Sequence, residues 1–323
     1  MNRMYDVIAL GELLIDFTEN GISNQGNPIF EANPGGAPCN LLSMLSKLGK
    51  KTAFIGKVGE DMFGHQLEEA IKGVGIETAG LKFDSEVKTT LAFVHTKEDG
   101  DRDFSFYRNP GADMMLSEED IEEALLEECR IFHFGSLSMT NEEGRKATKK
   151  AIELAKKNGA VISFDPNLRE PLWKSLDEAK AQIDYGMRQC NILKISDNEI
   201  SWFTGYEDFS QGIRYLQECY GIDLILLSMG KAGSRAVFGD IVADVPAILQ
   251  ENTIETTGAG DTFGACVLNY VLEHGWKPYT KEELEEMLKF ANAAASIITT
   301  KKGALRVMPE KEEVLDLLKT CSM

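Results

Sequence analysis

Arg130–Phe164 reads RIFHFGSLSMTNEEGRKATKKAIELAKKNGAVISF, and this stretch decides the fold class. Its ends, Arg130–Phe134 and Ala160–Phe164, are short apolar runs rich in β-branched and aromatic residues, which predict buried strands. Between them, Glu142–Lys157 repeats its apolar positions with the period of a helix. A strand, a helix and a second strand in this order predict a βαβ unit with parallel strands.

The same alternation continues along the 323-residue chain. Further strands are predicted at Tyr5–Leu10, Thr52–Ile55, Ile192–Ile195 and Asp223–Ser228. Further helices are predicted at Pro38–Leu48, Gln66–Lys72, Glu118–Glu127, Leu176–Met187, Asp261–Glu273 and Lys281–Thr299. Glycine is a good residue to end a helix, and Gly275 follows the fifth of these. The sequence therefore predicts an α/β fold with a mostly parallel, helix-covered sheet, without an internal repeat or a linker.

Two regions break the alternation. Leu13–Phe17 follows Gly11 directly and leads into a stretch rich in Gly, Asn and Pro. Thr89–Thr96 and Asp103–Tyr107 are β-rich and flank Glu98–Asp101, which predicts a hairpin turn. Strands outside the parallel sheet predict a small second sheet. Its interpretation stays open between a lid over a site and an edge hairpin without a function.

Composition and charge exclude several classes of protein. The chain has 34 Lys and Arg against 52 Asp and Glu, a net charge of −18, which argues against binding nucleic acid or an anionic membrane through the general surface. No apolar stretch is long enough to span a bilayer, and the N-terminus does not resemble a signal peptide. The six cysteines are dispersed without a C-x-x-C pair, which favours reduced thiols. These features predict a soluble, cytoplasmic protein.

The strongest chemical signal is TTGAGDTFGA, Thr256–Ala265. Its small residues precede a predicted helix, so backbone N–H groups at the helix start can approach an anion closely. Asp261 stands at the same place. A negative charge there would repel a phosphate, but a base that takes a proton from an attacking hydroxyl must lie there. Amides beside a base are what phosphoryl transfer requires.

This segment also allows other interpretations. A dinucleotide-binding G-x-G-x-x-G needs a third glycine where Phe263 stands and a buried strand where the polar Glu251–Thr253 lies. A G-x-x-x-x-G-K-[ST] phosphate loop is absent from the sequence. A glycine-rich helix start with Asp261 as a capping carboxylate remains open on this segment alone.

Other segments support a catalytic interpretation. Asn33–Asn40 is a glycine turn that opens an amphipathic helix and offers amides and Asn40 to a polyhydroxylated ligand. Asp16 ends an apolar run, where a carboxylate is costly unless it has a partner. Ser163–Arg169 leaves a strand and brings Arg169 to a loop. Arginine suits phosphate oxygens, although an isolated arginine is more often part of a surface salt bridge.

Taken together, these motifs resemble the ribokinase-type (PfkB) carbohydrate kinases and, within that family, fructokinases. The first family signature resembles Gly35–Asn40 with Gly49 and Gly59, and the second resembles Thr256–Ala265. The similarity to fructokinases lies in four segments: Gly11–Phe17, Tyr107–Asp113, Asp165–Arg169, and Leu172 with Trp173. These landmarks occur in family order and cover nearly the whole chain.

The resemblance implies a ribokinase-like three-layer α/β/α sandwich, one domain over residues 1–323, with a small β-sheet lid from about 12–33 and 89–110. It implies ATP-dependent phosphorylation of a sugar hydroxyl, with fructose to fructose 6-phosphate as the leading reaction, and ATP and Mg²⁺ as cofactors. Family members often form homodimers through their lids. The alternatives are another acceptor (2-keto-3-deoxygluconate, ribose or a nucleoside) and a non-catalytic sensor, with an NAD-dependent oxidoreductase as a distant third.

The resemblance also implies a set of site residues. The catalytic group would be Asp261 as base, Gly258, Ala259 and Gly260 as anion hole, and Arg169 near the transferred phosphate. The substrate group would be Asp16, Asn33, Gly35, Gly36, Asn40 and Arg108. The nucleotide group would be Lys194, Ser228, Gly230, Gly233 and Asn292, the last near the adenine. Glu199 would organise Mg²⁺ through water.

Two positions depart from the family pattern. Ser196 replaces the asparagine of the N-x-x-E motif that ends at Glu199, which affects the expected metal and phosphate network. Glu255 stands where many members carry an aspartate associated with a monovalent-cation loop. The resemblance therefore leaves K⁺ activation open.

Overall fold

The structure, a computed structural model, describes residues 3–96 and 102–321. Its strands are β1 Tyr5–Leu10, β2 Leu14–Ile22, β3 Pro28–Gly35, β4 Thr52–Gly59, β5 Ile76–Asp84, β6 Leu91–Thr96, β7 Arg102–Tyr107, β8 Cys129–Gly135, β9 Val161–Asp165, β10 Ile192–Ser196, β11 Leu224–Ser228, β12 Ser234–Phe238 and β13 Ile241–Val245. Its α-helices are α1 Ala37–Lys47, α2 Met62–Gly73, α3 Glu123–Glu127, α4 Glu142–Lys157, α5 Leu176–Gln189, α6 Asp197–Thr204, α7 Phe209–Tyr220, α8 Ala259–His274, α9 Lys281–Ile298 and α10 Lys311–Cys321.

The main sheet has the order β13-β12-β11-β10-β9-β8-β1-β4-β5. Neighbours from β11 to β5 pair in parallel, and the hairpin of β12 and β13 adds two antiparallel strands at one edge. The predicted mostly parallel sheet is confirmed. The stretch Arg130–Phe164 does form a βαβ unit, because β8 and β9 pair in parallel and α4 connects them.

Helices cover both faces of the main sheet. Along β1, Val7 and Ala9 belong to one apolar cluster, which contains the buried faces of α1, α2, α8 and α9. Ile8 and Leu10 belong to another, which contains those of α4, α5, α6 and α7. Successive side chains of a strand point to opposite faces of the sheet, so the two clusters are the two cores of a three-layer α/β/α sandwich. The predicted fold class is confirmed.

A second sheet of four strands has the order β3-β2-β6-β7. The predicted β-rich segments Leu13–Phe17, Thr89–Thr96 and Asp103–Tyr107 correspond to β2, β6 and β7. β6 and β7 pair antiparallel as expected for a hairpin, while the predicted turn at Glu98–Asp101 lies outside the described residues. Strand β3 was not predicted, since half of its residues are exposed and the strand shows no apolar alternation.

The remaining differences from the predicted elements have local causes. The helix predicted over Glu118–Glu127 is wrong in its first half, where a 3-10 turn spans Glu118–Asp120 and α3 begins only at Glu123. The Asp120 carboxylate accepts bonds from the backbone and hydroxyl of Ser117, which closes that turn on itself. Strand β5 and helices α6, α7 and α10 were also not predicted. Among the described residues, none of the helices combines the length and apolar composition needed to cross a bilayer.

Candidate active site

A cavity of about 1130 Å³ opens at the carboxyl ends of the parallel strands. In open α/β sheets, this edge is where ligands bind. Its wall combines loops that follow β9 and β10, the start of α8, and residues of the second sheet. The lining includes these predicted site residues: Asp16, Gly36, Asn40, Arg108, Arg169, Lys194, Glu199, Gly258, Gly260 and Asp261.

Asp261 lies in the first turn of α8. Gly258, the N-cap, has a φ of 75°, and a β-carbon there would lie 2.7 Å from the Cβ of Ala304, so both backbone and space require glycine. The helix start brings the amides of Gly260 and Asp261 to the cavity, where N–H groups of a first turn lack intrahelical partners. A carboxylate and anion-binding amides therefore share one helix terminus.

Asn40 of helix α1, far from α8 along the chain, binds to the start of α8. Its Nδ2 donates a 2.8 Å hydrogen bond to Oδ2 of Asp261 from helix α1, where Asn40 is buried. Burial raises the pKa of Asp261, whereas the hydrogen bond from Asn40 and the positive charges of Lys194 and Arg169 oppose the rise. A carboxylate with a raised pKa is a better proton acceptor near neutral pH than an ordinary aspartate.

Lys194, in the middle of β10, lies beneath the start of α8. Its Nζ contacts Oδ2 of Asp165 at 2.9 Å, and a β-carbon added at Gly260 would be 3.1 Å from the same Nζ. Burial disfavours the ammonium charge, but Asp165, Glu199 and Asp261 outweigh burial and raise the pKa of Lys194. Burial also raises the pKa of Asp165 to about 6, although Lys194 opposes this. Lys194 thus supplies a buried positive charge at the helix start.

Glu199 is bound by the chain on both carboxylate oxygens. Oε1 accepts the N–H of Leu168 at 2.8 Å, and Oε2 accepts both the N–H and the hydroxyl of Ser196, at 2.9 and 2.7 Å. Burial disfavours its charge, yet Lys194 and these bonds lower the pKa of Glu199. Ser196, the residue that departs from the family motif, is therefore the N-cap of α6 and forms a capping box with Glu199.

Arg169 and Arg108 differ in their exposure and in how tightly their side chains are hydrogen-bonded. Arg169 is exposed at the cavity after Asn167, whose φ of 43° turns the loop that follows β9. Arg108 is buried, and its guanidinium donates to the Asp113 carboxylate, the Thr140 hydroxyl and the Leu137 carbonyl at 2.7–3.0 Å. The implied role near the transferred phosphate stays a prediction for Arg169, and the implied role in substrate binding stays a prediction for Arg108.

The second sheet contributes Asp16 on β2. A β-carbon added at Gly35 would lie 2.2 Å from Oδ2 of Asp16, so the Asp16 carboxylate occupies space that is free only because residue 35 is glycine. Asn33 faces Asp16 in the strand pairing, and its Nδ2 donates to the hydroxyl of Thr18 at 2.8 Å. Asn33, Gly35 and Ala259 lie behind the cavity wall, outside the set of lining residues.

The other predicted nucleotide residues, Ser228, Gly230, Gly233 and Asn292, are also outside the lining. Asn292 is buried: its Oδ1 accepts the hydroxyl of Ser234 at 2.8 Å, and its Nδ2 donates to the carbonyls of Val245 and Pro246 at 3.2 Å. These bonds fasten α9 to the β12–β13 hairpin. The neighbour of the two glycines, Lys231, does line the cavity.

Sequence reasoning assigned no role to two buried acids of the site. Asp165 pairs with Lys194, and its position at the end of a buried strand is a signal that could have identified it. Glu12, two residues after β1, lines the cavity, and its Oε1 accepts the N–H of Ala37 at 2.9 Å. Burial, with the nearby charge of Asp113, raises the pKa of Glu12 to about 7, although its hydrogen bonds and Arg108 oppose the rise.

The chain is similar to fructokinases in sequence and in fold. The chain is 40% identical over 315 residues to a probable fructokinase-2 of Arabidopsis thaliana, an alignment that covers 97% of this chain and 95% of the relative. A crystal structure of fructokinase from Xylella fastidiosa with bound ATP is 29% identical, with a TM-score of 0.88. A fructokinase from Vibrio cholerae O395 in fructose-, ADP- and calcium-bound form is 28% identical, also with a TM-score of 0.88. Both structural alignments cover 98% of this chain and 99% of the other.

The sequence profile of the pfkB family carbohydrate kinases matches residues 4–311. That range contains both sheets, the cavity and the terminus of α8 with Asp261. The chain therefore belongs to the pfkB family of carbohydrate kinases.

Proposed function

We propose that this protein transfers the γ-phosphoryl group of ATP to fructose and forms fructose 6-phosphate. The observation that carries the proposal is the position of Asp261 among anion-binding amides, in a cavity that Asp16 faces from the second sheet. The similarity to fructokinases over 97% of the chain supports fructose as the acceptor. The bound ATP, ADP and fructose of the similar fructokinase structures support the same pair of substrates.

In the proposed reaction, the sugar hydroxyl gives its proton to Asp261 as its oxygen attacks the γ-phosphorus. The new O–P bond forms while the bond to the β–γ bridging oxygen breaks, and ADP leaves. The predicted anion hole of Gly258, Ala259 and Gly260, the amide of Asp261 beside it, and the charges of Lys194 and Arg169 stabilise the charge that develops on the phosphoryl oxygens. Asp16, Gly36 and Asn40 would bind sugar hydroxyls, with Asn33 and Gly35 supporting them from behind.

The nucleotide side of the site is part of the same proposal. ATP would lie between the start of α8 and the turn over Gly230–Ala232, along Lys194, Ser228 and Gly233. Asn292 would act near the adenine by fixing the β12–β13 hairpin, because its amide is already bonded to that hairpin. In this proposal, Asn292 affects nucleotide binding through the hairpin, although it does not line the cavity.

The donors present fit Mg²⁺, which prefers oxygen ligands and keeps several waters. Among the described residues there is no group of three or more His, Cys, Asp or Glu side chains that could hold a metal by itself. Asp165 and Glu199 would hold the ion through water, and the bonds on both oxygens of Glu199 fit such an indirect contact. When bound, Mg²⁺ neutralises phosphate charge.

For K⁺ dependence, we propose a measurement of turnover in two salts. Oε1 of Glu255 accepts the N–H of Gly303 at 2.6 Å, which connects the loop before α8 to the segment after α9. Turnover in K⁺ and in Na⁺ at equal ionic strength would show whether this loop responds to a monovalent cation.

We place the whole chain in one ribokinase-like domain, with residues of about 12–33 and 89–110 as a lid that excludes water from the site. Among the residues of the second sheet whose side chains the structure describes, the large apolar side chains of Ile22, Ile29, Phe30 and Tyr107 are exposed. Such a surface supports a homodimer formed through the lids, which the sedimentation velocity of the protein would test. All six cysteines are free of disulfides, which supports a reducing compartment such as the cytoplasm.

One panel tests the function: ATP-dependent phosphorylation of fructose, ribose, glucose, 2-keto-3-deoxygluconate and a nucleoside, with NAD reduction as the control. Fructose should give the highest kcat/KM, because a site built for particular hydroxyls can reject analogues that lack them by as much as ~10⁴-fold. A higher kcat/KM for ribose or 2-keto-3-deoxygluconate would replace the acceptor and keep the kinase. Binding of ATP without turnover on any acceptor would favour a sensor.

A further inference from the structure

Each hairpin of the second sheet leaves the main body and returns to it at nearly the same point. For the β2–β3 hairpin, these points are Glu12, two residues before β2, and Ala37, two residues after β3. For the β6–β7 hairpin, they are Thr90, directly before β6, and Arg108, directly after β7. Whatever fixes these junctions fixes the direction in which the second sheet leaves the cavity.

A buried carboxylate closes the first junction. Oε1 of Glu12 accepts the N–H of Ala37 at 2.9 Å, and Glu12 is 5% exposed. The backbones also meet there, since a β-carbon added at Gly36 would lie 2.4 Å from the carbonyl oxygen of Glu12. The two ends of the β2–β3 hairpin are thus bound to each other next to Asn40 of α1.

A second buried carboxylate closes the other junction. One oxygen of Asp113 accepts the hydroxyl of Thr90, and the other accepts Nε and Nη2 of Arg108 at 2.8 and 2.7 Å. The side chains of Arg108 and Asp113 are each only 3% exposed. Gly111 makes room for this contact, because a β-carbon there would lie 1.7 Å from Oγ1 of Thr90. Asp113 therefore touches both ends of the β6–β7 hairpin from the main body.

The two junctions adjoin each other. The charges of Asp113 and Arg108 both act on the carboxyl of Glu12, and both Glu12 and Arg108 line the cavity. A buried ion pair is weak support for stability as such, since its desolvation offsets much of its attraction. A fixed, hydrogen-bonded pair at the base of the second sheet is better explained by the geometry that it imposes on that sheet.

We propose that Glu12 and Asp113 are positioning residues, which clasp the bases of the two lid hairpins and thereby set where Asp16 and Arg108 stand relative to Asp261. This inference rests on the proposed function, in which the second sheet closes over the sugar. Neither acid touches the reacting atoms in this assignment. Loosening either clasp should therefore weaken sugar binding and admit water, while the ATP side is left intact.

The sharpest variant is Thr90→Val, which keeps the shape of the side chain and removes only the hydroxyl that Asp113 accepts. Thr90→Ser restores that hydroxyl and is the conservative rescue. Asp113→Asn is the stronger variant, and Glu12→Gln removes the other charge while leaving an oxygen for Ala37. The matched control is Asp120→Asn, an acid of the same segment whose bonds go to Ser117 and Lys57 and to no residue of the second sheet.

For Thr90→Val and Asp113→Asn, we expect KM for fructose to rise about 10- to 100-fold, the range that a misplacement of about 1 Å can cause. KM for ATP should change by less than about twofold, because the clasps hold the second sheet on the sugar side of the site and do not hold the segments proposed to bind the nucleotide. ATP hydrolysis without sugar should increase relative to sugar phosphorylation, because a looser lid admits water. Thr90→Ser and Asp120→Asn should match the wild type in all three.

Hydrogen exchange of the strand amides keeps the test independent of turnover. Amides of residues 91–96 and 102–107 should exchange faster in Thr90→Val than in Asp120→Asn. Equal exchange in these variants, or KM values for fructose that follow Asp120→Asn, would overturn the clasp. If the wild type fails to phosphorylate fructose but the exchange difference appears, the proposed acceptor is wrong and the clasp stands.

Discussion

Asn40 and Asp261 are 221 positions apart, yet the amide of Asn40 donates a 2.8 Å hydrogen bond to the carboxylate of Asp261. Helices α1 and α8 pack side by side on one face of the sheet, and their first turns meet at the cavity. The bond orients the carboxylate that we assign as the base. It also favours the charged form of Asp261 against the effect of burial.

Replacing Asp261 with Asn should lower kcat by ~10²–10⁴-fold, because the proton acceptor is lost while size and polarity are kept. ATP affinity, measured by calorimetry, should stay near that of the wild type. Asp177→Asn changes an exposed aspartate in the first turn of α5 and serves as the control. Near-normal turnover of the Asp261 variant would show that another group takes the proton.

Asn40→Ala should raise the pKa of Asp261, since a hydrogen bond that lowers it is removed. The acidic limb of the profile of kcat/KM against pH should then move to higher pH, because the base becomes protonated sooner as the pH falls. Ser43→Ala is the control, since it removes a buried hydrogen bond of α1 to the carbonyl of Leu305, away from the base. An unshifted limb in Asn40→Ala would contradict the coupling.

Arg169→Ala should lower kcat by about 10- to 100-fold, the value of a hydrogen bond to a charged group, with a smaller effect on KM for fructose. Arg169→Lys should recover part of the loss, because it keeps the charge but not the planar fork. Arg188→Ala, in an exposed pair with Asp184, is the control. A collapse of fructose affinity at constant kcat would instead make Arg169 a sugar ligand.

Gly35→Ala should displace the carboxylate of Asp16, because the new β-carbon would lie 2.2 Å from Oδ2. We expect KM for fructose to rise by about tenfold or more, as for loss of a hydrogen bond to a sugar hydroxyl, and Asp16→Ala to be more severe. The same change at Gly73, where a β-carbon meets nothing within 4 Å, is the control. Equal KM values for the two glycine variants would remove Asp16 from the sugar site.

His133 predicts how stability depends on pH. Burial, with the charge of Lys194, lowers the pKa of His133 to about 3, so the folded protein keeps this residue neutral where the unfolded chain protonates it. The contribution of His133 to stability is fully present above about pH 6.5 and is lost as the pH falls towards 3, by about 1.4 kcal/mol per pH unit.

Denaturant unfolding between pH 7 and pH 5 would measure this effect. His133→Gln should flatten the slope by removing the titrating group. Ser163→Ala removes only the hydroxyl that contacts Nδ1 of His133 and should keep the slope. An unchanged slope in His133→Gln would assign the acid sensitivity to other groups.

Much of the fold could be predicted from periodicity. The buried strands around Ile8 and Phe132 and the amphipathic helix α4 have strong local patterns, because each element must bury an apolar face against the next. Strand β3 was missed, since half of its residues are exposed. Its pairing with β2 supplies the stabilisation that its composition does not. The 3-10 turn at Glu118–Asp120 was mistaken for part of an α-helix, because a capping hydrogen bond and not a repeating apolar pattern determines the local structure.

The sequence alone was enough to predict the strand–helix alternation of a parallel sheet, the glycine-rich start of α8 and the carboxylate Asp261, because these depend on neighbours along the chain. Only the tertiary structure decided that Asn40 reaches Asp261, that Lys194 pairs with Asp165, and that Asp113 binds both Thr90 and Arg108. Such contacts join residues on different elements, and their distances follow from how the strands and helices pack. A buried charge is stable only beside a partner, and the packing of strands and helices, not the sequence pattern around the charge, determines which residue that partner is.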